Sequence, residues 1–171
     1  MVLAYLEGDA DACVALIERA IGLNPGSAFV WLGCAAIRTV IGEPDAAIEP
    51  LETSMRLDPL GPYRSLQTTY MGLARFQQGR FADALPALKM LTQDTDHPSG
   101  PALLAATYGH LGQTRDGKDA LARYRTMTLT PIDLYAQSIF RNPAHVKLLL
   151  DGIALAENGS TTDLADGGQT P

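Results

Sequence analysis

From Ala28 to Pro59 the apolar side chains fall into two stretches of helical spacing divided by the pair Gly42-Glu43. Trp31, Cys34 and Ala35 form the inward stripe of the first stretch, the second is amphipathic, and Leu57-Asp58-Pro59 closes the unit. Gly8 and Gly42, Ala20 and Ser54, Leu23 and Leu57, and Pro25 and Pro59 each stand 34 residues apart. Four coincidences at one period mark a repeated helix pair. The next copy carries Met71-Gly72, Arg75-Phe76, Gly79, Phe81, Ala84 and Leu88, but Gly79 follows Gly42 by 37 residues. The three extra residues are expected near Leu60-Gly61-Pro62, where a loop is easiest to lengthen. A last copy runs from about Ser99, with Leu104, Ala105 and Tyr108 before Gly112 and Leu121 after it. It departs furthest from the pattern, because Gly117 stands where its predecessors have Ala47 and Ala84.

A short helix pair cannot bury its apolar stripe alone, so neighbouring pairs must stack and share a core. Glycines 8, 42, 79 and 112 suit the left-handed backbone that ends a first helix, while Pro25 and Pro59 fix the chain between units. The predicted fold is therefore all-α, an α-solenoid of antiparallel helix pairs with a closing helix. Residues 1–127 hold the repeats, at about 1–27, 28–61, 65–98 and 98–127. Residues 128–156 form a linker and a capping helix, about Ala144 to Ala156. The polar stretch 157–171, rich in Gly, Thr and Asp, is expected to be disordered.

Composition narrows the function. A formal charge of -6 and a pI near 4.9 give a field that repels a phosphate backbone, so nucleic acid is not an expected partner. Nowhere do eighteen or more apolar residues run together, and Met1 to Gly8 carry Glu7 without a basic leader region, so neither membrane nor export is indicated and a cytoplasmic location is expected. Cys13 and Cys34 lie outside any C-x-x-C or Cys/His spacing and read as small buried side chains.

Chemistry has little foothold in the pattern. His97, His110 and His145 are isolated in sequence: His97-Pro98 reads as a loop, His110 as the exposed end of a helix, and His145 as the first turn of the last helix. Asp9 and Asp11, and Asp94 and Asp96, stand at inter-helix turns where aspartate caps a helix. The run from Gly112 to Asp119 imitates a phosphate loop, but Asp119 replaces the hydroxyl residue that such a loop needs. No catalytic, cofactor or metal site is therefore expected.

The spacing of Trp31, Gly42, Ala47, Leu51, Leu57 and Pro59 resembles the tetratricopeptide (TPR) signature, and the resemblance covers residues 1 to about 127. In that register Met1 falls inside a first helix, so the resemblance implies a shortened first hairpin and self-association through its uncovered faces around Val14, Ile17 and Ile21. It also implies a concave face made by first helices. The second unit places Phe29, Leu32, Ala36, Thr39 and Val40 there. Leu66, Thr69, Leu73, Phe76 and Gln77 follow from the third, then Ser99, Ala102, Ala106, Gly109 and His110 from the fourth. The groove is apolar and almost uncharged, unlike the basic clamp of the chaperone-binding TPR class. Two occupants suit it: an amphipathic helix of another protein, or the chain's own last helix through Leu148, Leu149 and Ile153.

Trp31-Leu32-Gly33, the run from Ile41 to Glu49, and Phe140-Arg141-Asn142-Pro143-Ala144-His145 are together similar to the C-terminal TPR region of bacterial, rhizobial-type class III adenylate/guanylate cyclases. That resemblance implies a non-catalytic regulatory or interaction region whose partner is a protein segment or an upstream domain of the parent protein. The cyclase family's metal-binding and purine-recognising residues have no counterpart in these positions. Similar TPR regions follow winged-helix domains in bacterial regulators, and a stand-alone adaptor is a further alternative.

Overall fold

The computed structural model describes residues 9–94 and 97–159. The expectations for Met1 to Gly8, for the side chains of Asp94 and Asp96, and for the stretch beyond Gly159 fall outside that set. Among the described residues there are nine α-helices and no strand: α1 (Ala10–Leu23), α2 (Ala28–Ile41), α3 (Pro44–Leu57), α4 (Arg64–Gln77), α5 (Phe81–Asp94), α6 (Ser99–His110), α7 (Thr114–Met127), α8 (Ile132–Ile139) and α9 (Pro143–Asn158). None is long and apolar enough to cross a membrane.

Local chemistry starts and stops these helices. Asp9 caps α1 by accepting a hydrogen bond from the Ala12 amide at 2.8 Å, and Ser27 caps α2 through the Val30 amide. Gly42, Gly79 and Gly112 all have positive φ, at 92°, 71° and 71°. After each, the next amide donates to a carbonyl five residues back: Glu43 to Arg38 at 2.8 Å, Arg80 to Arg75 at 2.9 Å and Gln113 to Tyr108 at 2.9 Å. One closure, written three times, turns the chain from α2 into α3, α4 into α5 and α6 into α7.

Each of those pairs packs along its length, and the positions matched in the sequence lie at the seams: Ala47 and Ala84 are fully buried and Gly117 is buried. The pairs are joined through polar links as well as apolar cores. Ser54 Oγ donates to the Ala28 carbonyl at 2.8 Å and accepts from Gln67 Nε2 at 2.9 Å, bringing α4 onto the α2–α3 pair. Gln77 Nε2 donates to the Thr39 carbonyl at 2.8 Å. At the other end α1 lies on α2, where Cys13, Ile17, Cys34 and Ile37 form one buried cluster and Glu18 pairs with Arg38 at 2.9 Å.

Three details differ from the expectation. The segment predicted as a linker contains α8, whose Ala136 is fully buried and whose Ile132, Tyr135 and Ile139 pack on the main core. The last helix continues to Asn158, and Glu157 pairs with Arg125 at 2.6 Å instead of starting a disordered tail. Trp31 is half-buried rather than internal, because its indole Nε1 donates to the Pro25 carbonyl at 2.7 Å.

Candidate functional site

The first members of the three pairs, α2, α4 and α6, carry the residues expected to line a groove, and the structure separates these into three groups. Leu32, Thr39 and Gln77 are buried inside the stack; Thr39 Oγ1 bonds back to the Ala35 carbonyl at 2.8 Å. A second group, on α4 and α6, is covered by the chain's own residues 132–156. Phe140 stacks on Phe76 with ring centroids 6.1 Å apart and planes at 3°. Ala102 and Ala106 are fully buried in the cluster that also holds Ala136, Phe140, Leu149 and Ile153. Phe29 and Leu66 stay open, 58% and 49% exposed, with Val40 and Ala36 partly so.

About half of the expected groove is thus interior, partly within the stack itself and partly because of the extent of the closing segment. The last helix was expected to lie on the repeats, but α8 and the turn after it join in, so the cover reaches from α7 back to α2. Asn142 and His145 sit against the Gly42 turn, where a side chain at Gly42 would come within 2.7 Å of Asn142 Cβ. Backbone meets backbone at the crossing of α6 and α9, through Gly109 and Gly152. Gly117, the departure from the repeat pattern, has a reason here: a Cβ at that position would stand 2.7 Å from Ala156 Cβ on α9.

The histidines move accordingly. His110 is not an exposed helix end; its ring stacks on Phe81 at 4.0 Å and 7°, and its Nε2 donates to the Leu148 carbonyl at 2.8 Å. His145 does sit in the first turn of α9, but it is buried, its Nδ1 has no hydrogen-bond partner, and burial lowers its pKa. Burial likewise pushes the Cys34 thiol up, although Arg38 opposes the shift.

Between the covered and the open parts lies a cavity of about 460 Å³, walled by Thr69, Leu73, Leu91, Leu103 and Ile139. His97 and Ser99 also line it. His97 Nδ1 lies 2.7 Å from Ser99 Oγ and 3.3 Å from the Ser99 amide, and Ser99 Oγ lies 2.9 Å from Tyr135 Oη. Since the amide must donate, Nδ1 is an acceptor, and the hydroxyls run in one direction: Tyr135 donates to Ser99, which donates to His97. Burial pushes the Tyr135 phenol up and keeps it protonated.

Sequence reasoning places His97 in a loop, which it occupies, and Ser99 on the groove face, but foresees neither their hydrogen bond nor the part of Tyr135. His97-Pro98-Ser99 is a readable signal, with a rigid residue setting the imidazole beside a helix start, whereas the meeting with Tyr135 depends on how α8 folds back. Among the described residues no group of three or more His, Cys, Asp or Glu side chains is arranged to hold a metal ion. The sequence matches no family model and no curated protein.

Proposed function

We propose that this chain is a TPR-type scaffold that holds a segment of another protein, an interaction region of the kind that follows a catalytic domain in bacterial class III cyclases, without catalysis of its own. The observation that carries the reading is the open end of the groove. Phe29 and Leu66 are exposed on neighbouring first helices, and the ring of Tyr63, three residues before Leu66, lies 5.2 Å from that of Phe29. Exposed large apolar side chains gathered at one place suit an amphipathic helix that buries one face. The thrice-repeated glycine closure supports the TPR assignment, because each falls where the repeat pattern places the turn between the two helices of a pair.

Photo-cross-linking from Leu66 in the source cell, followed by reconstitution with the purified captured protein, tests the proposal. Binding in the micromolar range is expected, weakened at least tenfold in Phe29→Glu/Leu66→Glu while the helical circular dichroism is unchanged. Equal affinity for the variant defeats the assigned face. The chain alone is expected to make no cyclic nucleotide from ATP or GTP, and turnover would overturn the non-catalytic part.

A further inference from the structure

We propose that the cavity between α4, α5, α6 and α8 binds a small neutral amphiphile, an aromatic or aliphatic body carrying one hydroxyl. Its volume, about 460 Å³, lies in the range of small-molecule sites, and such sites are apolar with a few placed polar groups. This cavity has that composition. Thr69, Leu73, Leu91, Leu103 and Ile139 supply an uncharged wall, and the polar groups gather at one place, where His97 and Ser99 meet.

The hydroxyl chain fixes what the head group must be. Ser99 Oγ uses its proton on His97 and one lone pair on Tyr135, which leaves one lone pair to accept from a ligand. His97, with Nδ1 accepting, carries its proton on Nε2 and can donate. A hydroxyl is both donor and acceptor and can use either group. A carboxylate would have to leave water for a wall that has no lysine or arginine among its described lining residues. Because Ile139 on α8 forms one wall and Leu73 on α4 another, the ligand would lie between the closing segment and the stack.

Three fluorescent molecules of nearly equal shape test this on the full chain: 2-naphthol, 2-methylnaphthalene and 2-naphthoate. Saturable binding of the first two is expected, with 2-naphthoate at least tenfold weaker. Thr69→Trp, which fills the cavity from its half-buried edge, is expected to abolish binding of both neutral molecules. Ser99→Ala removes one oxygen and is expected to weaken 2-naphthol about fivefold while leaving 2-methylnaphthalene within about twofold. Tyr135→Phe, which retains the ring contact with Tyr124 and frees a second Ser99 lone pair, is expected to leave both neutral molecules within about twofold. Comparable affinity for 2-naphthoate, or an equal loss for both neutral molecules in Ser99→Ala, overturns the proposal. A concentration-dependent dimer that Thr69→Trp dissolves, with no naphthalene bound, assigns the cavity to a second copy and also overturns it.

Discussion

A Cβ built on Gly109 would stand 1.9 Å from the carbonyl oxygen of Gly152, so α6 and α9 touch through bare backbone. Neither glycine is needed for an unusual φ; each is needed because there is no room. Gly109→Ala is therefore expected to push α9 off α6 and to lower stability by about 3 kcal/mol, the upper part of the overpacking range. Urea unfolding of the variant checks this, and a change below about 1 kcal/mol would mean that the two helices can separate without loss.

The glycine turns separate two costs that are usually confounded. Gly79 and Gly112 have positive φ and nothing within 4 Å of a would-be Cβ, so alanine there should cost about 1–2 kcal/mol of backbone strain alone. Gly42 has positive φ and also meets Asn142 at 2.7 Å. Gly42→Ala is expected to cost clearly more than the other two, and thermal unfolding of the three variants side by side makes the comparison. Equal losses would show that the closing segment does not bear on Gly42.

Much of this architecture was legible because helix pairs announce themselves locally: a helical stripe, a glycine, a second stripe. The pairs around Gly42, Gly79 and Gly112 follow from residues within a few turns of one another. What escaped was non-local. Ile132, Ala136 and Ile139 have helical spacing, yet the stretch from residue 128 reads as a linker, when Pro131 is the residue before a helix starts. The groove residues lie on α2, α4 and α6, but their exposure depends on how residues 132–156, more than twenty positions further on, fold back. Phe76 reads as a groove residue by register and is buried because Phe140 lies on it.

Ser54 and Gln67 join two hairpins through a buried polar chain, and their substitutions should not add. Ser54→Ala leaves Gln67 Nε2 and the Ala28 carbonyl without their shared partner and is expected to cost about 1–3 kcal/mol. Gln67→Leu should cost a comparable amount, and the double variant less than the sum of the two, because the second change removes a group already orphaned by the first. Denaturant titration of the four proteins closes the cycle.

His145 ties stability to pH. Burial lowers its pKa from the ordinary 6.5, so the unfolded chain takes up a proton at a pH where the folded chain does not. The favourable contribution is complete above 6.5 and is lost as pH falls through the folded value, with a slope of at most about 1.4 kcal/mol per pH unit. The urea midpoint is expected to fall between pH 7.5 and pH 5.5, and to fall less in His145→Gln. An equal drop in the variant would assign the dependence to other groups.

The closing segment also alters how the stack behaves as a chain of units. A repeat array whose members touch only their neighbours can fray from an end, one unit at a time. Here α9 rests on α6 and α7 while Asn142 and His145 reach the turn between α2 and α3. That fastening skips over a hairpin, so the later units cannot melt while the earlier ones keep all their contacts. It also sets an order for assembly on the ribosome: α4 and α6 must wait, with Phe76 and Ala106 uncovered, until residues 132–156 have been synthesised.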